Sequence, residues 1–125
     1  MKRIFGSPVA RAPRMKTIEC EDVVLRLGQT AGENAALVRD ADPTHYWVHL
    51  ERFPSGHVIV EAAMPSDRVL ARAASLCLDH TKYRRLGNVY ASATPVSNLK
   101  PADLLGEVEF LAPRRVRRVS PLNSA

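Results

Sequence analysis

Between Tyr46 and Val60 the chain reads YWVHLERFPSGHVIV, two short apolar runs joined by a polar loop that holds Pro54, Ser55 and Gly56. Each run alternates. Tyr46, Val48 and Leu50 share one face and Trp47 and His49 the other; Val58 and Val60 then oppose His57, Ile59 and Glu61. Period-two alternation bounded by turn residues predicts two antiparallel strands. A register that sets His49 opposite His57 makes the two imidazoles direct neighbours beside one loop. A shift of one residue separates them.

The flanking sequence supplies the other elements. Val23 to Leu27 alternates and is stopped by Gly28, and Thr30 with Glu33 forms a capping box that opens a short helix through about Arg39. Pro65, Ser66 and Asp67 start the longest helix, expected over residues 67–83, with Val69, Leu70, Ala73, Leu76, Cys77 and His80 along one stripe. Gly87 turns the chain into a strand over Val89 to Ala93, stopped before Pro95. Residues 96–105 read as a loop. Gly106 to Leu111 reads as a strand with Arg115 to Ser120 as its hairpin partner across Pro113. Antiparallel neighbours dominate this order. The expected architecture is α+β, a single mostly antiparallel or mixed sheet with two helices packed on one face. A basic arm over 1–18, with a short strand at Arg3 to Phe5, precedes a domain over 19–120, and 121–125 is a fraying tail.

At 125 residues the chain is the size of one domain. No apolar run approaches the ~20 residues that a bilayer-spanning helix needs. Cys20 and Cys77 are the two cysteines, too few for a disulfide framework, and a reducing, cytoplasmic setting is the simpler expectation. Charge is unevenly placed. Residues 1–18 hold five basic side chains and no acid, residues 114–125 hold four, and the stretch between holds nine basic against thirteen acidic. A polyanion would be drawn mainly to the ends. Arginine supplies fourteen of the eighteen basic residues, and its planar fork suits phosphate and base stacking. The arginine-rich, acid-free start also fits a mitochondrial or plastid transit peptide, although Pro8 and Pro13 stand against it.

An ordered set of short motifs runs through the same chain. Gly28 and Asn34 precede Trp47-x-His49; Ser55-Gly56-His57-Val58 follows; then come Thr81-Lys82, Thr94-Pro95 with Asn98-Leu99-Lys100, and Gly106-x-Val108. In this order they resemble the NFACT-R domain family over roughly residues 23–119, in particular its small stand-alone coiled-coil-associated members. The loop departs from the family's Gly-Ser-His by exchanging the small residues, and Pro101 stands where a second lysine is common. The resemblance implies a non-enzymatic RNA-binding module without a cofactor, serving translation or ribosome quality control. Its partners would be tRNA or ribosomal RNA and the large ribosomal subunit, with no membrane.

The candidate RNA-contacting residues fall into three groups. His49 and His57 flank the Ser55-Gly56 loop, positioned to grip a phosphate or base edge, and Trp47 could stack on an unpaired base. Lys82, Arg85, Asn98 and Lys100 could converge at a helix end, Lys82 and Arg85 sharing one helical side. Arg115 and Arg117 would share one face of a cationic edge strand. For each there is a structural alternative: imidazoles that fix the hairpin, a tryptophan in the core, and cations on a solvated surface. A metal site on His45, His49 and His57, or on Cys77 with His80, is disfavoured by strand spacing and by cysteine in an apolar stripe. Catalysis lacks a phosphate-binding glycine loop, a nucleophile elbow and paired carboxylates. The alternative to RNA binding is an adaptor that docks on a ribosomal subunit or translation factor.

Overall fold

The computed structural model describes residues 15–122. In chain order the elements are β1 (Lys16–Cys20), β2 (Val23–Leu27), α1 (Ala31–Asp40), β3 (Tyr46–Leu50), β4 (Val58–Val60), α2 (Asp67–Asp79), β5 (Ala91–Pro95), β6 (Leu99–Pro101), β7 (Val108–Phe110) and β8 (Arg117–Val119). Six strands form one antiparallel sheet in the order β1-β2-β4-β3-β5-β8, and β6 and β7 form a separate two-stranded ribbon. The fold is α+β, as the alternation predicts. The β3–β4 register pairs Trp47 with Ile59 and Val48 with Val58, and its continuation sets His49 opposite His57.

The helices lie on opposite faces of the sheet, not on one. On the first face α2 covers Leu25, Leu27, Val48, Val58 and Val60, using Val69, Leu70, Ala73, Leu76 and Cys77. On the second face Leu37 of α1 packs with Trp47, Ile59 and Val96, and Leu99, Val108 and Phe110 of the ribbon complete that cluster. Strand order explains the difference. α1 links β2 to β3 across β4, and α2 links β4 to β5 across β3. The two crossovers step the same way across the sheet but join strands that run in opposite directions. A common right hand then places one helix on each face.

Local chemistry sets the element ends. Thr30 Oγ1 accepts from the Glu33 N–H at 3.1 Å, while Glu33 Oε1 reaches back to the N–H of Gln29 at 2.9 Å, one residue beyond the cap. Ser66 caps α2 by accepting from the Val69 N–H. α2 ends at Asp79, short of the expected residue 83, because Thr81 Oγ1 donates to the Leu78 carbonyl at 2.8 Å and then accepts from the Tyr83 N–H. A hydroxyl bonded to nearby backbone competes with the helical ladder. His80 therefore leaves the apolar stripe and is exposed.

The C-terminal third departs furthest from expectation. The strand expected over Val89 to Ala93 lies two residues later, at Ala91–Pro95. Val108–Phe110 pairs with Leu99–Pro101, inside the segment expected as loop, and Arg117–Val119 joins β5 at the sheet edge. Asn98 directs this exchange. Its side-chain amide donates to the Ala112 carbonyl and its Oδ1 accepts from the Ala112 N–H at 2.8 Å, while its backbone carbonyl accepts from Leu111. The sheet also begins at Lys16, inside the expected arm. The Leu122 N–H donates to Ser75 Oγ on α2 at 2.7 Å, within the segment expected to fray. The expected strand at Arg3 to Phe5, the rest of the arm and residues 123–125 lie outside the described residues.

Candidate functional site

A cleft of about 1080 Å³ opens beside the β3–β4 loop, at the end of the sheet. The start of α1, the loop between β3 and β4, the turn after α2 and the tip of the β6–β7 ribbon bound it, and Trp47, His49 and His57 line its sheet side. Three sequence-distant segments thus meet around the hairpin that the alternation specifies.

Trp47 and the two histidines form one interlocked group. The indole Nε1–H of Trp47 donates to His57 Nδ1 at 3.0 Å. An indole only donates, so Nδ1 of His57 carries the lone pair and the ring proton sits on Nε2. His57 is 5% exposed, and that burial, with His49 alongside, pushes its pKa down to about 3. His49 donates from Nδ1 to the Leu50 carbonyl at 2.6 Å, and burial lowers its pKa as well. The Trp47 and His49 rings are parallel at 5.7 Å, and His57 meets each edge-on at 5.4 and 5.0 Å. Both imidazoles are therefore neutral at physiological pH, with fixed tautomers and orientations.

Two glycines and one asparagine hold the hairpin against α1. The Gly28 N–H donates to the His57 carbonyl, and Asn34 Oδ1 accepts from the His57 N–H at 3.1 Å. A Cβ on Gly56 would collide with the Gly28 carbonyl oxygen, and one on Gly28 with Asn34 Oδ1. In this chain glycine must stand second in the Ser-Gly-His loop, because backbone meets backbone there. Ser55 occupies the roomier position, where its hydroxyl donates to the Gly56 carbonyl and accepts from the Leu50 N–H.

Of the eleven candidate residues, the cleft gathers six: Trp47, His49, Ser55, Gly56, His57 and Lys82. Trp47 is 3% exposed, so it is a core side chain and has no free face on which a base could stack. Lys82 and Arg85 do not share a helical side, because α2 ends before them. Arg85 is exposed in the following turn and does not line the cleft. Asn98 is buried as the clamp described above, and Lys100 pairs with Glu109 across the ribbon at 3.4 Å. Arg115 lies in a turn of 3-10 helix and not in a strand. Arg117 reaches Asp67 at 2.7 Å and Arg118 reaches Glu51 at 2.9 Å. Those carboxylates neutralise the edge strand, and its two arginines point to opposite faces of the sheet.

Sequence reasoning missed Arg52. Arg52 borders the cleft, is exposed and has φ of 69°, a left-handed backbone seldom adopted by a residue with a long side chain. Neither Arg52 nor Lys82 has an ion-pair partner among the described residues. Phe53 packs on Tyr83 with ring centroids 4.6 Å apart, tying the two cation-bearing segments together. The signal was present in the two aromatics beside basic residues, but only the fold makes them neighbours. Among the described residues no cluster of three His, Cys, Asp or Glu side chains is placed to hold a metal ion. Cys77 is fully buried under the hairpin and its thiol is pushed up to about 12. No helix among the described residues is long and apolar enough to cross a membrane.

No protein-family model matches the chain, and no curated protein matches it in sequence. Among solved structures the fold is similar to the C-terminal part of the fibronectin/fibrinogen-binding protein from Streptococcus suis, with a TM-score of 0.74 and 24% identity over 87% of this chain. The chain spans 46% of the length of that structure. A likeness at this identity shows the fold.

Proposed function

We propose that this chain is a non-enzymatic RNA-binding module whose contact surface is the cleft beside the β3–β4 loop. One observation carries the reading: Arg52 and Lys82, cations without a carboxylate partner among the described residues, stand on the same cleft as two neutral imidazoles held in fixed orientation. Lys100, Arg117 and Arg118 are by contrast neutralised by acids of the fold. Arg84 and Arg85 follow Lys82 in the same exposed turn. Unpaired cations attract phosphate, and the neutral Nε2–H of His57 adds a directional hydrogen bond without the cost of burying charge. The ordered motifs that resemble NFACT-R domains agree with this reading and suggest tRNA or ribosomal RNA as the partner in the cytoplasm.

The test is RNA affinity across a salt series for the wild type, Lys82→Ala, Arg52→Ala and Arg117→Ala. Each cleft variant is expected to weaken binding and to reduce the salt slope by about one phosphate contact. Arg117→Ala should behave as wild type. Equal affinities for all four proteins would remove the cleft from RNA binding.

A second reading, an adaptor docking on a ribosomal subunit or translation factor, is favoured by one feature. Leu104 and Leu105 are 65% and 69% exposed at the tip of the ribbon beside the cleft, and apolar side chains presented together on a surface suit a protein partner. The structural neighbour from Streptococcus suis is itself described as a fibronectin/fibrinogen-binding protein. Replacing both leucines by serine separates the readings. Loss of protein partners with RNA affinity intact supports the adaptor.

A further inference from the structure

His57 carries an unspent hydrogen-bond donor at the sheet side of the cleft. Its Nδ1 is occupied by the Trp47 N–H. The proton on Nε2 has no acceptor among the described residues, although His57 is buried. A buried donor without a partner calls for an explanation, and a site that waits for a ligand atom supplies one. Next to it, the His49 ring lies parallel to that of the buried Trp47, with centroids 5.7 Å apart. His49 is half-buried and borders the same cleft. Flat ring, orphan N–H and the rim cations Arg52 and Lys82 thus surround one space.

We propose that this cleft takes an unpaired nucleotide, its base stacked on the His49 ring, a carbonyl or ring-nitrogen acceptor of the base bonded to His57 Nε2–H, and its phosphate facing Lys82 and Arg52. This inference rests on the RNA-binding reading and narrows it to single-stranded segments, loops or ends. A base-paired nucleotide has both faces covered by its neighbours and cannot offer one to His49, whereas an unpaired base can. Depressed basicity of His57 agrees with this arrangement. A neutral Nε2–H donates to a base acceptor, and its tautomer does not change over the physiological pH range. The cleft is larger than one small ligand needs, which leaves room for the flanking strand.

Trp47 is the single tryptophan of the chain, so its emission reports on this group directly. The full chain is titrated with a short unstructured RNA, the same sequence in a perfect duplex, mixed nucleoside monophosphates and inorganic phosphate. Unstructured RNA should bind about tenfold more tightly than the duplex and shift Trp47 emission in a saturable way. His49→Ala should bring that single-strand preference down towards one. In the wild type, needing no variant to fold, the His57 Nε2–H proton resonance should shift on adding unstructured RNA or the monophosphates and stay put with inorganic phosphate. If duplex and single strand bind alike and leave Trp47 unchanged, the nucleotide site is overturned while RNA binding stands. If phosphate alone reproduces the emission change, the site reads phosphate and the stacking is wrong. If no RNA binds at all, both readings fall together.

Discussion

The indole N–H of Trp47 bonds to His57 Nδ1 at 3.0 Å, joining positions 47 and 57 across the hairpin. This contact fixes which nitrogen of His57 carries its proton and converts a core tryptophan into part of the site. Trp47 itself never reaches the surface. Its contribution is to hold an imidazole in one tautomer at the edge of a cleft.

Removing that bond has a definite cost. Trp47→Phe leaves His57 Nδ1 buried without a donor, and the chain is expected to lose about 1–3 kcal/mol for the orphaned acceptor, with lost packing in addition. Urea unfolding followed by circular dichroism measures it. An unchanged midpoint would mean that the bond contributes nothing to the fold.

Acid should unfold the domain through its histidines. His57 has a folded pKa near 3 against 6.5 for the free side chain, so the unfolded chain binds more protons between these values. Its contribution is complete above pH 6.5 and falls as the pH drops from 6.5 towards 3, by about 1.4 kcal/mol per pH unit. His49, shifted the same way, adds to the slope. Stability measured at several pH values should fall over this window in the wild type and less steeply in His57→Gln. Parallel profiles would disprove the assignment.

Asn98 is predicted to act on stability and not directly on the ligand. Asn98→Ala removes its side-chain bonds to both backbone atoms of Ala112 and to Thr94, and is expected to cost about 2–4 kcal/mol. Because the clamp holds β6 and β7 together, protease cleavage within residues 99–112 should accelerate. Wild-type stability with intact protease resistance would show that the ribbon is held by other contacts.

Two glycines should respond oppositely to alanine. Gly32 faces open space near the start of α1, so Gly32→Ala should stabilise by about 0.5–1 kcal/mol through the unfolded chain. Gly56→Ala drives a methyl into the Gly28 backbone and should destabilise by about 1–3 kcal/mol, opening the gap between hairpin and α1. Thermal melts of the two variants decide. A neutral Gly56→Ala would mean that the loop can relax away from Gly28.

Part of this arrangement was readable in the chain itself. The alternation from Tyr46 to Val60 predicts the central strands, and it makes the imidazoles neighbours in the register that the structure adopts. The Thr30 and Ser66 caps predict where both helices begin. Those signals are local, with partners within a few residues. Misreadings came where a side chain bonds backbone nearby or far off: the Thr81 hydroxyl that ends α2, and the Asn98 amide that pairs β7 with β6. Lys82 stands out in the sequence and Arg52 does not, but the helix expected to carry Lys82 ends at Asp79.

Periodicity, capping and turn residues determined the α+β class and the hairpin, because each depends on the order of side chains along a short stretch. Tertiary structure alone decided that the helices lie on opposite faces, that Arg117 and Lys100 are neutralised while Arg52 and Lys82 are not, and that His57 keeps a buried donor without a partner. These are matters of which distant groups come within a few ångströms, and they follow from strand order and crossover hand, which no local pattern encodes.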